Sequence, residues 1–195
     1  IHIGTDEVRF TDNGFVNEMV SFLRDRGKKI ISWNPGWNYK PGEIDMTHLW
    51  SYRGTPLKGV PAIDSRLHYI NHFDLFGDLY SLYISKIGRA DNSSSGIAGS
   101  IIAIWNDRKL ATEKDIILQN AFYPNMLTLA ERAWMGGGTE YFDKNGVKIN
   151  PNDTMFKHFV AFEKKLLHYK NTVFAGEPFP YFKQTQVRWQ ISEPF

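Results

Sequence analysis

The first 33 residues read IHIGTDEVRFTDNGFVNEMVSFLRDRGKKIISW. Residues 1–3 are a short apolar run closed by Gly4, and residues 30–33 are a second one, ended by Asn-Pro-Gly. Between them, apolar residues recur at helical spacing over 15–26, and Gly27 fits a helix C-terminus. A strand, a helix and a strand in this order predict two parallel strands of one sheet.

The same alternation of buried runs and helical patterns continues along the chain, which predicts the α/β class. The run at 97–105 does not alternate in polarity and predicts one fully buried strand. A helix is predicted over 112–134 with a kink or break at Pro124, and residues 76–87 fit a helix or an irregular loop. The remaining expected elements are strands at 47–50, 60–65 and 68–70 and a helix at 154–169.

Composition excludes several classes of function. The 23 Lys and Arg residues against 21 acids give a formal charge of +2 without a basic run, so neither nucleic acid nor an anionic membrane surface is expected as a partner. The absence of cysteine excludes disulfides and thiolate metal sites. The longest apolar run is too short to cross a bilayer. The length of 195 residues fits one domain or a piece of a larger one.

Two adjacent acids, Asp6 and Glu7, follow the first apolar run directly. If that run is a strand, both lie on the turn at its C-terminal end, where parallel α/β folds place reactive groups. Neighbouring carboxylates in a cleft cannot both ionise freely, so one can keep a proton while the other stays charged. The alternative is a helix N-terminus, with Thr5 or Asp6 as the cap and Glu7 favoured by the helix dipole.

Three predicted strands end in a tryptophan followed by polar residues: Trp33, Trp50 and Trp105. A single tryptophan at a strand end is more often part of a core than of a binding site. Three of them at the same end of parallel strands would converge on one opening. Indole faces bind the apolar faces of sugar rings, so acids in a tryptophan-lined cleft favour carbohydrate chemistry.

The sequence resembles the family 20 glycoside hydrolases, the β-N-acetylhexosaminidases. The segment His2-Ile3-Gly4-Thr5-Asp6-Glu7 resembles the family's His-x-Gly-Gly-Asp-Glu motif. Further matches follow in family order: Trp33, Trp50, Tyr69-Ile70-Asn71 for Tyr-Leu-Asp, Trp105-Asn106-Asp107 for Trp-Ser-Glu, and Ala130-Glu131-Arg132-Ala133-Trp134 for Ala-Glu-Arg-x-Trp. Arg132, paired with Glu131, is expected to brace the structure rather than to contact a ligand.

The resemblance implies a partial (β/α)8 TIM barrel, from the end of the fourth strand through the eighth helix. Residues 1–180 would be the C-terminal half of the catalytic domain, and 181–195 the start of a following segment or linker. The family's first strand carries an arginine that binds the terminal sugar, and this strand is not in the chain. The isolated fragment is therefore expected to be inactive or nearly so. It could be stabilised by self-association, by rearrangement of its sheet, or by the missing N-terminal half.

The implied reaction is retaining, substrate-assisted hydrolysis of terminal β-linked N-acetylglucosamine or N-acetylgalactosamine, in which the 2-acetamido oxygen attacks the anomeric carbon. By motif position, Glu7 would be the general acid/base, and Asp6 would orient the acetamido N–H and stabilise the cationic intermediate. Tyr69 would donate to the acetamido carbonyl oxygen. The other substrate-binding residues implied are His2 in a supporting role, the wall residues Trp33, Trp50 and Trp105, and the polar residues Asn71 and Asp107.

The chain departs from the family pattern at three positions. Thr5 replaces a glycine, which is a mild change if the backbone φ there is ordinary. Asn71 replaces an aspartate, which weakens charge support for the acetamido group. Asp107 replaces a glutamate and is one methylene shorter, so the terminal sugar would sit deeper or differ in configuration. No cofactor is expected, and His2 with Asp6 lacks the third ligand that a metal site needs.

The sequence leaves two other functions open. One is a barrel glycosidase with two catalytic carboxylates, a covalent intermediate and a different sugar specificity. The other is a non-catalytic carbohydrate-binding relative that retained the pocket. In each case the partner would be an oligosaccharide or glycan, which for the leading hypothesis contains N-acetylhexosamine. By analogy with the family, the parent protein is expected to be periplasmic or secreted from a bacterium.

Overall fold

The computed structural model describes residues 1–8, 10–12, 14–36, 42–51, 53–66, 78–87, 96–106, 109–138, 150–181, 183 and 185, and the backbone of 69–71. The chain divides into two compact units. The first unit comprises Ile1–Arg66 and Ala90–Ile101, and the second comprises Leu67–Arg89 and Ile102–Phe195. The expected boundary between 180 and 181 stays a prediction.

The described residues contain strands and helices in alternation. The strands are β1 (Ile31–Asn34), β2 (Met46–Leu49), β3 (Ala62–Asp64), β4 (Tyr69–Asn71), β5 (Ile97–Ser100) and β6 (Ala103–Trp105). The helices are α1 (Gly14–Arg24), α2 (Leu79–Ile84), α3 (Lys114–Gln119), α4 (Phe122–Met135) and α5 (Thr154–Asn171). The predicted α/β class is confirmed.

The first unit is built on a parallel four-stranded sheet in the order β1-β2-β3-β5. Residues 1–4 extend this sheet beside β1. The Ile31 N–H donates to Ile1 O at 2.9 Å, the Ile3 N–H to Ile31 O at 2.9 Å, and the Trp33 N–H to Gly4 O at 3.1 Å. The first apolar run is therefore paired in parallel with β1, as the strand–helix–strand pattern predicted.

Helix α1 covers one face of this sheet. Its buried residues Val16 and Val20 form a core with Ile30 and Ile44, and Ile3 packs against that core. The helix is followed by Gly27 at φ +67°, a conformation that glycine adopts without steric cost.

The opposite face of the sheet carries His2, Trp33 and His48. His2 lies opposite Ile31, and Trp33 lies opposite His48 in the strand register. Because side chains alternate along a strand, these residues point away from α1. This face contains most of the candidate site in the first unit.

The prediction of one fully buried strand over 97–105 is wrong, because the segment is divided and none of its residues is fully buried. The segment forms β5 and β6 with Ile101 and Ile102 between them. The register against β3 shifts between Ala62 and Ile63, so that Ile97 and Gly99 are consecutive partners and Ala98 is an extra residue. An extra residue of this kind bends a strand and disturbs its pairing, and glycine inside a strand often accompanies it.

The second unit contains the parallel pair β4–β6 and helices α2 to α5. Its core is rich in aromatic residues from α2 and α5, among them Tyr80, Tyr83, Phe156, Phe159 and Phe162. In α5, the Asp153 carboxylate accepts the Met155 N–H, as expected for the N-terminus of this helix. Among the described residues, no helix combines the length and hydropathy needed to cross a membrane.

The predicted helix over 112–134 is divided into α3 and α4. Pro124 lies in the first turn of α4, where its missing N–H costs no hydrogen bond, so the expected break is confirmed. Arg132 is buried and donates through Nη1 to Tyr83 O at 3.0 Å, which supports the bracing role. The expected partner is wrong, because Glu131 forms its ion pair with Lys165, at 3.7 Å.

Candidate active site

The acidic turn, residues 4–7, follows the first paired segment of the sheet. Gly4, Thr5 and Glu7 have φ values of +73°, +84° and +54°. The Val8 N–H donates to Asp6 O at 2.6 Å, which closes a three-residue turn around Glu7. Two non-glycine residues at positive φ within three positions are unusual, and such strain is concentrated at functional sites.

Thr5 is strained because its backbone adopts a conformation suited to glycine. Threonine in place of glycine would be a mild change only if φ were ordinary, and the φ of Thr5 is positive. A left-handed φ brings Cβ close to the carbonyl oxygen that follows, at a cost of about 1–2 kcal/mol. Threonine is β-branched, so this cost is expected to lie at the upper end of that range.

The acids of the turn do not cap a helix. Helix α1 begins at Gly14, and the Gly14 N–H donates to Oδ1 of Asp12 at 2.7 Å. The alternative interpretation of the Asp-Glu pair as a helix N-terminus is therefore wrong. Asp6 is partly buried and Glu7 is exposed. The turn thus presents two adjacent carboxyl groups in different degrees of contact with solvent, at the C-terminal end of a paired strand.

Beside the turn lies the aromatic cluster, which consists of His2, Trp33 and His48. The ring centroids are 4.6 Å apart for His2 and Trp33, 4.1 Å for Trp33 and His48, and 5.5 Å for His2 and His48. Each ring therefore contacts the other two. Trp33, expected to wall the pocket, is held by two imidazoles.

His2 connects the cluster to the acidic turn. Its Nδ1 accepts the Gly4 N–H at 3.1 Å, so Nδ1 carries no proton and the proton of the neutral ring is on Nε2. Burial lowers the pKa of His2, against the opposing charge of Asp6. His2 is therefore a neutral acceptor at neutral pH, and it restrains the backbone from which Asp6 and Glu7 project.

His48 was not predicted from the sequence. It is 4% exposed, and its Nε2 lies 2.9 Å from Ser65 Oγ. The Ser65 hydroxyl donates to Leu49 O at 3.2 Å, so the proton between Ser65 and His48 belongs to Nε2. Nδ1 is then an acceptor, and it has no hydrogen-bond partner among the described residues. Burial, and next the proximity of His2, lowers the pKa of His48 to about 4, with Asp64 opposing.

A buried ion pair follows β3 directly. Asp64 accepts three hydrogen bonds from Arg66: from the backbone N–H at 2.9 Å, from Nε at 3.0 Å and from Nη2 at 2.8 Å. The guanidinium also donates through Nη1 to Gly54 O at 3.0 Å. Arg66 thereby ties the end of β3 to the loop after Trp50. The indole of Trp50 donates in turn to Pro35 O at 2.6 Å, in the turn that follows β1.

Two glycines allow backbone segments to approach each other closely at this end of the sheet. A Cβ at Gly36 would lie 2.3 Å from Trp33 O and 3.1 Å from Thr5 O. A Cβ at Gly54 would lie 2.2 Å from Asn34 O. Both distances to the nearest oxygen are far below ordinary contact, so neither position tolerates a side chain without movement of the backbone.

The predicted site residues fall into two groups. Asp6, Glu7, His2, Trp33 and Trp50 lie in the first unit, at the C-terminal ends of paired segments.

The others belong to the second unit. Tyr69 and Asn71 lie on β4, and Asn71 is the strand partner of Trp105, which is 44% exposed. Asp107 lies outside the described residues.

The residues missed by sequence reasoning are His48 and the segment Asp64-Ser65-Arg66. The polar residues that follow the apolar part of β3 are a signal in the sequence that could have indicated Asp64-Ser65-Arg66. Within the described parts of the chain, no three His, Asp or Glu side chains are grouped closely enough to hold a metal ion. No protein-family model, curated protein or solved structure matches the chain.

Proposed function

We propose that the chain is the C-terminal half of the (β/α)8 catalytic barrel of a family 20 glycoside hydrolase. The parent protein would hydrolyse terminal β-linked N-acetylhexosamine from oligosaccharides or glycans, with retention of configuration and with the substrate's acetamido group as nucleophile. The parallel sheet of the first unit supports a barrel of this kind. The resemblance of residues 2–7 and of the later motifs supports the chemistry.

One observation supports the proposal most strongly. The acidic turn is held in a strained conformation at the C-terminal end of a paired strand, and its two carboxyl groups are not used to cap α1. Strained backbone persists only where the surroundings enforce it, and it is common where side chains must be presented for chemistry. Parallel α/β enzymes carry their reactive residues at this end of the sheet.

In the proposed reaction, Glu7 protonates the leaving oxygen and then activates the water that opens the oxazolinium intermediate. Its exposure suits a group that must meet both the leaving group and water. Asp6, partly buried beside it, orients the acetamido N–H and stabilises the positive charge of the intermediate. Trp33 and Trp50 supply apolar walls. The substrate-binding roles of Tyr69, Asn71, Trp105 and Asp107 are those that the family resemblance implies.

The decisive experiment compares Glu7→Gln with Glu18→Gln in the full-length parent protein. Glu18 is an exposed acid on α1 and serves as the matched control. We expect Glu7→Gln to lower kcat/KM by about 10²–10⁴ for N-acetyl-β-glucosaminides whose leaving group is a sugar, because general acid catalysis is lost. The loss should be smaller for a 4-nitrophenyl leaving group, which needs little protonation. Glu18→Gln should retain full activity.

Three outcomes would contradict the proposal in different ways. Unchanged hydrolysis by Glu7→Gln would exclude the assigned role. Hydrolysis of sugars without a 2-acetamido group, together with no inhibition by an N-acetylglucosamine thiazoline, would indicate a two-carboxylate glycosidase. Calorimetric binding of N-acetylglucosamine without turnover by the parent would indicate a carbohydrate-binding protein.

A further inference from the structure

His48 makes two kinds of contact that an ordinary core residue does not combine. Its ring lies against both Trp33 and His2, and its Nε2–H donates to Ser65. Its Nδ1 is buried without a hydrogen-bond partner among the described residues, which leaves the cost of removing a polar atom from water uncompensated. An apolar side chain of similar size would fill the same volume without that cost, so packing alone does not account for a histidine here.

We propose that His48 is a positioning residue of the candidate active site, which fixes the indole of Trp33 and the imidazole of His2 and is itself oriented by Ser65. This inference rests on the proposed function, since Trp33 and His2 matter to catalysis only if the site is the one described above.

The contacts form a continuous path to the acidic turn. Ser65 is held through its hydroxyl and its N–H, which both donate to Leu49 O, at 3.2 and 2.9 Å. It holds Nε2 of His48, and His48 contacts the ring of His2. The Nδ1 of His2 in turn accepts the N–H of Gly4, the first residue of the turn. A displaced His48 ring would therefore release the wall residue Trp33 and loosen the restraint on the acidic turn.

The charge of the surroundings suits this role. His2, Asp64 and, through Asp64, Arg66 are the ionisable groups near His48, and Asp6 is the one that opposes burial at His2. Burial lowers the pKa of both histidines, so both rings are neutral at neutral pH. Two neutral rings can pack against an indole without placing a positive charge beside Asp6, which is needed as an anion in the proposed reaction.

The test uses four single variants of the full-length parent protein, together with the double variant His48→Phe/Ser65→Ala. His48→Ala removes the ring contacts and the hydrogen bond. His48→Phe keeps a planar ring but loses the hydrogen bond to Ser65, and Ser65→Ala removes that bond alone. Met46→Ala is the matched control, because Met46 lies on the same strand and the same face, two residues before His48. Thermal unfolding of each variant shows that it is folded and by how much it is destabilised.

Steady-state kinetics with an aryl N-acetyl-β-glucosaminide give the first readout. We expect His48→Ala to lower kcat at least about tenfold, since small displacements of positioned groups cost large factors in rate. His48→Phe and Ser65→Ala should each lower kcat by less than His48→Ala does, and by about the same factor as each other. The double variant should be no worse than either single one, because both remove the same hydrogen bond. Met46→Ala should leave kcat unchanged at a similar loss of stability.

The second readout is the fluorine resonance of 5-fluorotryptophan at position 33, assigned by its absence in Trp33→Phe. It should move in His48→Ala and in Ser65→Ala and stay in place in Met46→Ala. Equal losses of kcat in Met46→Ala and His48→Ala would overturn the inference. A Trp33 resonance that stays in place in His48→Ala, or in Ser65→Ala, would also overturn it. If the parent protein shows no turnover, the proposed function fails, and the fluorine resonance alone then decides whether His48 fixes Trp33.

Discussion

Replacement of Thr5 by glycine should stabilise the chain, although glycine substitutions usually destabilise proteins. The φ of Thr5 is +84°, and relief of this conformation for a β-branched residue is worth roughly 2 kcal/mol. Glycine loses more freedom on folding, at a cost of about 0.7 kcal/mol. The hydroxyl of Thr5 also donates to Gly4 O, and loss of this hydrogen bond costs about 0.5 kcal/mol. A net stabilisation of about 0.8 kcal/mol remains.

Thr11→Gly is the matched control, because Thr11 is exposed and its φ is not positive. This variant gains nothing from strain relief and should be destabilised by about 0.7 kcal/mol. The two substitutions change the same side chain to the same residue, so the entropic cost of glycine cancels in their difference. What remains is the strain relieved at Thr5 less its lost hydrogen bond to Gly4 O. That difference should be about 1.5 kcal/mol in favour of Thr5→Gly.

Urea unfolding followed by circular dichroism measures the stability of both variants relative to that of the unsubstituted chain. Because a slope of about 2 kcal/mol per molar urea is typical, the midpoints of the two variants should differ by about 0.7 M. If Thr5→Gly is destabilised as much as Thr11→Gly, the backbone of the acidic turn is not strained. The proposed functional role of the turn would then lose its main support.

Two further predictions concern the surroundings of the turn. His48 has a pKa of about 4 in the fold against 6.5 when exposed, so between these values the unfolded chain binds a proton that the folded chain does not. Stability should therefore fall as the pH drops through this window, by at most about 3 kcal/mol. The urea midpoints at pH 7 and pH 4.5 should differ less in His48→Phe than in the unsubstituted chain. Equal differences in the two would contradict the burial of a neutral His48. Arg66→Met should cost about 3–5 kcal/mol in the same assay, because it leaves the buried carboxylate of Asp64 without its cation. The double variant Asp64→Leu/Arg66→Met should recover most of this loss, and a loss that is not recovered would show that the ion pair is not its cause.

Local patterns were sufficient to predict the elements that carry the acids. The apolar run before Gly4, the helical spacing of α1 and the run of β1 all depend on neighbours in sequence, and all three are found. The same holds for Gly27, which follows the end of α1, and for the break before Pro124, because glycine and proline each have a conformational preference of their own. These local patterns therefore predict a turn at a strand end for Asp6 and Glu7, although a helix N-terminus stays open as the alternative until the pairing of residues 1–4 is known.

The features that could not be predicted depend on tertiary contacts. A histidine within the run Met46-Thr47-His48-Leu49 gives no periodic signal, and only its contacts with Trp33 and Ser65 distinguish it from a surface residue. The positive φ of Thr5 is likewise imposed by the surroundings, since threonine has no local preference for it. The interruption of 97–105 did have a local signal in Gly99, which was outweighed by the continuous apolar character of the run.

The close approach at Gly36 and Gly54 limits how this site could be re-engineered. Libraries randomised at either codon should return glycine almost exclusively, because the nearest atoms are main-chain oxygens that no rotamer change can move aside. The atoms nearest to Gly36 and Gly54 are main-chain carbonyl oxygens, which are present whatever side chains the neighbouring residues carry. Variants that keep both glycines therefore share the same main-chain geometry beside Trp33 and Asn34, and differences between such variants must come from side chains alone.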